Sequence, residues 1–538
     1  MRVLPKATGL GGISSRRGPN QSVKPTKQSL PQVTKQTVLT KYRPFLSSTM
    51  KNRSTKIPIP SIETPNKSVF TTQAYAKQLT FFIESTSGPD FSVGDIVRVV
   101  FFAKDQRNNA VTTNIGDYFR ASISTLETKS AAVGAITDHQ NGTYTATFRL
   151  LWAGKVKIKV QLVLPRQAID VVERTVGEHP FDKVMFRRQY RLDGRTISTR
   201  CSVDPTVFHN TGPVCNHSDP HAGGRWYCEK AANISCETPG YHSYILGSGP
   251  KNMLRPGEEK LFARRINPWR LDISGSPSTI NVTKGLDPLA KRRRCMPGLA
   301  TPQINGFYQD GVWNSLVCHN RHFSNQSEWR ECLRGKTVHF MGDSTIRQWY
   351  EYLVGTLNLT DVTLPEATHQ SGPSLAKDPV DNITLKYRTH GPPIRTSSTK
   401  TSNLKYIANA LDEIEGGPND VVGITVGAHL TAFPVQLYRE RMEAIRVAIR
   451  RLHQRSPQTL VAIKTANTFT SGSEVNGGDW LAYRFDLVMR ELFAGMDVVL
   501  VDAWGMTSAQ QWHADVIHPG SDIIGQEVEL LGSFICPL

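Results

Sequence analysis

Between Phe70 and Pro165 apolar and polar residues alternate along short runs: QLTFFIE, DIVRVVFFAKD, DYFRASIST, GTYTATFRLLWAG and KVKIKVQLVL. A period of two places Tyr144, Ala146, Phe148 and Leu150 on one face of a strand, and Val156, Ile158, Val160 and Leu162 on one face of the next. Ser87-Gly88-Pro89 and Asn141-Gly142 punctuate the runs as turns. Half-buried antiparallel strands at this spacing predict a β-sandwich over 69–165. Nothing in it suggests catalysis.

After Lys336 apolar runs alternate with amphipathic stretches. TVHFM, VVGITV, LVAIK and VVLV, at 337–341, 421–426, 460–464 and 498–501, predict strands. Ile346, Trp349, Tyr350, Leu353 and Leu357 recur at helical spacing, and further helices are predicted over 404–414, 435–452, 480–493 and 523–534. Apolar strands alternating with amphipathic helices predict a parallel sheet covered on both faces, over 337–538. Active sites of such sheets lie at the carboxyl ends of the strands. Between the two patterns, over 166–336, periodicity fades. Seven of the eight cysteines gather there with Trp226, Trp269, Trp313 and Trp329, which predicts a connector stapled by disulfides.

Charge changes this picture less than its total suggests. Of the formal net charge of +18, about two-thirds lies in the first sixty residues, which hold twelve Lys or Arg and no Asp or Glu. Residues 1–68 have too few apolar side chains to offset chain entropy and are expected to be a disordered, solvated stem. The folded remainder is mildly basic, so no nucleic-acid partner is expected. The run Lys291-Arg292-Arg293-Arg294 reads as a solvated basic turn.

Cysteine usage bears on compartment. Cys201, Cys215, Cys228, Cys236, Cys295, Cys318, Cys332 and Cys536 form no C-x-x-C pair, which argues against zinc and for disulfides, with Cys536 tying the last helix to the body of its domain. Glycan acceptor sequons at Asn141, Asn216, Asn233, Asn281, Asn325, Asn358 and Asn382 agree with a secretory chain. The opening MRVLPKATGLGGISSRRG lacks the apolar core of a signal peptide, and we expect a leader or anchor to be encoded by a first exon absent from this sequence. No apolar run is long enough to span a membrane.

The candidate chemistry stands at two strand ends. Gly342-Asp343-Ser344 falls where TVHFM gives way to a helix, so the glycine permits a sharp turn, the hydroxyl is held at the mouth of the sheet, and helix N-terminal amides can stabilise an oxyanion. Capping of the helix by Asp343 or Ser344 is compatible with that role. Asp515-Val516-Ile517-His518-Pro519 follows the last strand, and a D-x-x-H loop supplies both a general base and the acceptor that orients it. His513 is expected to take no part. Gly427 and His429, after VVGITV, are candidate oxyanion or substrate groups, with a structural histidine as the open alternative. Arg347 either meets substrate or pairs with a local carboxylate. Gly391, in the His390-Gly391-Pro392-Pro393 loop, is a further candidate amide.

GDSTIRQWYEYL, LKYRTHGPPIR, HLTAFP, IKTANT, VDAWGMT and the terminal FICPL resemble the neurexophilin and PC-esterase domain (NXPE) family, as do the preceding ITDHQNGTYTATFRLLWAGKVKIKV and the Cys-rich segment. The resemblance covers about Phe70 to Leu538. It implies an immunoglobulin-like sandwich of filamin or E-set type, a Cys-rich connector and a C-terminal α/β/α domain of the SGNH-hydrolase type. It also implies a secreted or Golgi-lumenal glycoprotein and a clan that adds or removes glycan O-acetyl groups through a GDS serine and a D-x-x-H dyad, here Ser344 with Asp515 and His518. The expected activity is O-acyl transfer or esterase action on a glycan hydroxyl. No metal and no tightly bound cofactor is expected; acetyl-CoA is the candidate donor, and a glycan or glycoprotein the substrate. The competing reading is a secreted binding glycoprotein whose sandwich meets a cell-surface partner and whose esterase-type domain is a scaffold.

Overall fold

The computed structural model describes residues 73–84, 90–178, 184–209, 212–246, 252–262, 271–468, 475, 478–513 and 517–538. The expected stem therefore lies outside the described residues. The alternating runs form antiparallel strands whose burial follows the sequence pattern: Thr143–Arg149 buries every second side chain, as does much of Gly154–Leu164. Two layers share one core. Phe81, Phe101 and Phe148 from one layer meet Phe119, Ile123, Ile158 and Leu162 from the other, and Ser130–Asp138 pairs with strands of both. Strands from much later in the chain complete the layers. Ser274–Ser276 pairs with Thr80–Glu84, Thr279–Thr283 with Gly154–Leu164, and Gly306–Gln309 with Ser130–Asp138.

The segment 166–336 is more ordered than fading periodicity suggests. A helix, Arg166–Glu178, buries Ile169, Val172 and Val176. It is followed by the strands Val184–Leu192, Arg195–Ser202, Val214–Asn216, Tyr227–Glu229 and Tyr241–Leu246, which form a second sheet with Thr399–Lys400. Cys201–Cys228 and Cys215–Cys236 staple that sheet, and Cys295–Cys318 fastens the return to the sandwich. Cys332–Cys536, across 204 residues, ties the C-terminus back to the start of the last domain. The run 291–294 is not simply solvated: Arg292 donates to the Leu289 carbonyl and to Asn320. The seven sequon asparagines named above are exposed.

The C-terminal region opens with β1 (Thr337–Gly342) and α1 (Ser344–Thr356), then β2 (Asp361–Thr368), β3 (Gly372–Asp378) and β4 (Ile383–Thr389). After α2 (Ile407–Asp412) come β5 (Asp420–Thr425), α3 (Val435–Arg455), β6 (Leu460–Lys464), α4 (Asp479–Phe493), β7 (Val499–Val501), α5 (Ala503–Ala509) and α6 (Ser521–Ile535). The sheet order is β2-β3-β4-β1-β5-β6-β7. From β4 to β7 the strands are parallel, but β2 and β3 are antiparallel, so the sheet is mixed and the expectation of a purely parallel one is corrected. The reason is visible in β4. Ile383, Leu385, Tyr387 and Thr389 are buried while the intervening positions are partly or fully exposed, so this strand carries an antiparallel-type alternation. Helices α2 and α3 cover one face of the central strands and α1 and α6 the other.

The modules touch close to the edge of the last domain at which its parallel strands end. Tyr118 Oη donates to Asp479 on α4, Lys159 Nζ to Gln511 Oε1, and Gln511 Nε2 to Ser122 Oγ. His242 of the second sheet meets the Ile394 carbonyl at 2.7 Å.

Candidate active site

β1 sits between two parallel neighbours in register, Gly342 opposite Thr389 of β4 and Thr425 of β5. The turns after β1, β4, β5 and β6 thus open on one edge of the sheet. Gly342 has φ +152°, and a Cβ there would lie 1.9 Å from the Thr425 carbonyl oxygen, so the turn before Ser344 requires glycine. Gly391 faces a similar limit, since a Cβ would stand 2.1 Å from the Tyr406 ring. Gly427 has no such constraint; the nearest atom is 3.9 Å away.

Asp343 caps α1. Its Oδ1 accepts from Thr345 N at 2.9 Å and Thr345 Oγ1 at 2.7 Å, and its Oδ2 accepts from Ala428 N at 3.0 Å, which clamps the β1 turn to the β5 turn. With both carboxylate oxygens so engaged, Asp343 builds the turn. The amides of Ile346 and Arg347 go to the Asp343 carbonyl. Among the described residues no acceptor meets the N–H of Ser344 itself, which stands at the positive end of α1.

Ser344 Oγ and His518 Nε2 are 2.7 Å apart, although 174 residues separate them. Asp515 lies outside the described residues, so the group that meets Nδ1 of His518 is not assigned. His518 is exposed and Ser344 half-buried, and the pair faces solvent. Its loop is anchored by Asn467 Nδ2, which donates to the Ile517 carbonyl at 2.9 Å. Behind the Ser344 turn a crevice of about 10 Å³, bordered by Asp343, Gly427, Asn467 and Ile517, has room for no more than a water molecule.

The other candidates divide. His429 Nδ1 lies 3.1 Å from His390 Nε2, while His390 Nδ1 is 2.8 Å from the Gly391 carbonyl. Arg347 takes the local partner that its sequence position allowed: Nε donates to Glu351 Oε1 at 2.9 Å and Nη1 to the Gln370 carbonyl at 3.1 Å. His513 Nε2 stands 2.6 Å from Asp522 Oδ2, at the start of α6. Three residues passed over in the sequence support this edge. Arg441 of α3 donates to the Pro392 carbonyl at 2.9 Å, and Lys464 and Glu527 form a sealed ion pair behind the serine and histidine. A lysine ending the apolar run LVAIK and a glutamate inside the apolar face of α6 were the available signals.

Electrostatics favours a neutral, proton-accepting His518. Desolvation by the surrounding protein, with smaller contributions from Arg347 and Lys464, lowers its pKa, and Asp343 and Glu351 only partly oppose this. Burial works against ionisation of Asp343, but the neighbouring His429 and the Thr345 donors more than offset it and hold the carboxyl below its usual value. Burial drives His390 and His242 down to about 4, and His429 well below the histidine range.

These histidines make stability depend on acidity. The unfolded chain takes up their protons below about pH 6.5, whereas the folded chain refuses those of His390 and His242 until about pH 4 and that of His429 further still. Stability is therefore lost as pH falls through that window. Asp117 and Asp486, raised to about 6 chiefly by burial, bind protons in the folded form and offset part of the loss. Scanning calorimetry between pH 7 and 4.5 should show Tm falling; a flat or rising Tm would contradict the assignment.

Residues 313–536 match the family model described as NXPE family member 4-like, C-terminal domain, and residues 50–245 match the model described as Neurexophilin. The chain belongs to the NXPE family. Within this NXPE protein the first match begins in the hairpin Gly306–Ser315 and contains the whole Ser344–His518 edge, and the second contains most of the sandwich and the sheet that carries His242. Four disulfides, and among the described residues no helix long and apolar enough to cross a membrane, fit a secreted or lumenal NXPE protein.

Proposed function

We propose that this NXPE protein is a serine-dependent O-acyl, in practice O-acetyl, transferase or esterase acting on glycan hydroxyls in the secretory pathway. The observation that carries the reading is the 2.7 Å approach of Ser344 Oγ to His518 Nε2 at the N-terminus of α1. Ser344 Oγ attacks the carbonyl carbon of the acyl donor as His518 Nε2 takes its proton. The oxyanion is met by the Ser344 N–H, with the amides after β4 and β5, at Gly391 and Gly427, as further donors. Collapse expels the leaving group, which receives the proton from His518, and leaves an acyl-serine. A sugar hydroxyl or a water, deprotonated by the same imidazole, then attacks the acyl-serine and regenerates Ser344. Asp515, three residues before His518, is the group assigned to orient the imidazole. In this reading the last domain is of the SGNH-hydrolase type and the sandwich immunoglobulin-like.

Acetyl-CoA is the proposed donor, by its chemistry. The test is the intact mass of the full chain after brief exposure to an activated acetyl ester: one acetyl adduct on Ser344 supports the reading, and an unchanged mass opposes it. Formation of the adduct should accelerate with rising pH through a midpoint below about 6.5, because a protonated imidazole cannot accept the serine proton. The Neurexophilin match over 50–245 favours a second reading, in which the N-terminal modules of a secreted glycoprotein bind a cell-surface partner. Partner capture that is indifferent to loss of Ser344 would support it.

A further inference from the structure

One arginine stands in the loop that follows β4 and another behind it on α3, and they are treated differently by the fold. Arg441 is buried at 1% exposure, but its charge is met: it donates to the carbonyls of Pro392, Gly391 and Gly223 and lies over the Tyr406 ring at 4.4 Å. Arg395, in that loop, has Nε and one terminal nitrogen, Nη2, sealed from solvent with no hydrogen-bond partner. Thr396 Oγ1, the next side chain and 3% exposed, is also unpartnered. A buried donor left unmet is costly, and a buried cation more so, hence such groups point to a missing ligand.

The surroundings place Arg395 at the candidate active edge. Ile394 is held by His242 at 2.7 Å, and Ser397 N donates to Gln370 Oε1 at 3.3 Å. The same Gln370 accepts, at its carbonyl, from Arg347 one turn after Ser344. On the other side Arg395 is near enough to His429 to help depress its pKa, and burial brings its own down to about 10, so the guanidinium stays charged at neutral pH.

We propose that Arg395 is an anion-binding residue of this site, and that one of the two reactants places a carboxylate, sulfate or phosphate group against its Nε and Nη2 with Thr396 Oγ1 beside it. A guanidinium edge offers two parallel N–H donors at the spacing of two oxyanion oxygens, a geometry that lysine does not reproduce. The proposal rests on the acyl-transfer reading only for which reactant brings the charge. An acidic acceptor sugar and the phosphates of a coenzyme A thioester are the two sources.

Binding decides it without turnover. The full chain is titrated, by NMR or calorimetry, with glucuronate against glucose and with coenzyme A against pantetheine. In one pair the charged member should bind roughly 10- to 100-fold more tightly, the worth of a bidentate charge-assisted contact. Arg395→Gln should reduce that preference to under about twofold, and Arg395→Lys should restore part of it. Preference within the sugar pair assigns the anion to the acceptor, and preference within the coenzyme pair to the donor. If neither charged ligand is favoured by the wild type, or the preference survives Arg395→Gln, the proposal fails. Should Arg395→Gln not be secreted, a weakened preference in Arg395→Lys and displacement of the preferred ligand from the wild type by sulfate support the site, and the absence of both overturns it. A preference that depends on Arg395 in a chain that never forms an acyl-serine would overturn the proposed function and leave the anion site standing.

Discussion

Ser344→Ala is expected to abolish acetyl-enzyme formation and to reduce acyl transfer by about 10⁴-fold, leaving only what binding and the oxyanion donors supply. The fold should tolerate the change. Asp343, not Ser344, caps α1 and clamps the β5 turn, and Ser344 gives up a single hydrogen bond, to His518. The stability loss should therefore stay within about 1 kcal/mol. His518→Ala should lose activity to a comparable degree, since no other ring nitrogen approaches Ser344 Oγ among the described residues. His513→Ala removes only an exposed pair with Asp522 and should cost at most about 1 kcal/mol and little rate. Expression of all four chains in cells lacking the endogenous protein, followed by mass spectrometry of O-acetylated glycans, separates the outcomes. Equal acetylation by wild type and Ser344→Ala would leave the serine as a helix-start residue and the domain as a scaffold.

What could be read beforehand follows from the range of the forces involved. Local alternation exposed the sandwich strands, and the strand-to-helix change at Met341 exposed the Gly342-Asp343-Ser344 turn, because both are set by neighbours in sequence. The strands β2 to β4 were missed because they lack long apolar runs: β4 reads ITLKYRT, with polar residues at alternate positions. The connector strands were missed for a related reason. Arg195–Ser202 is largely exposed at its outer end and depends on disulfides and pairing rather than on an apolar face. The return of Thr279–Thr283 to the sandwich is a pairing across more than a hundred residues, for which no local signal exists. Polar burial was the least legible. Arg395 and Arg441 both look like surface cations in sequence, and only the packing of the loop after β4 against α3 distinguishes the one that is satisfied from the one that is not.

Lys464→Met should be the most disruptive single change outside the reacting groups. Lys464 Nζ and Glu527 Oε2 lie 3.5 Å apart with both side chains fully enclosed. Burial pulls the lysine pKa down and pushes the glutamate up, and each is held charged chiefly by the other. Removing the cation strands a carboxylate in the core, at an expected cost of about 3 to 5 kcal/mol. The pair also reaches both halves of the candidate dyad. Glu527 accepts from Trp349 Nε1 at 2.7 Å, on the helix that begins with Ser344. Lys464 donates to Asn467 Oδ1 at 2.5 Å, and Asn467 in turn holds the Ile517 carbonyl next to His518. Stability and positioning can be separated with Lys464→Met/Glu527→Gln, which removes both charges and keeps an acceptor for Trp349. Such a replacement should recover most of the lost stability, to within about 1 kcal/mol of wild type. It does not restore the donor to Asn467, so the His518 loop should remain loose and acetyl-enzyme formation should stay roughly 10-fold slow or slower. Chemical denaturation and single-turnover acylation, measured on wild type, both single variants and the double, give the two readouts. A double variant that regains both stability and rate would show that the pair supports the fold alone and that Asn467 holds His518 without it.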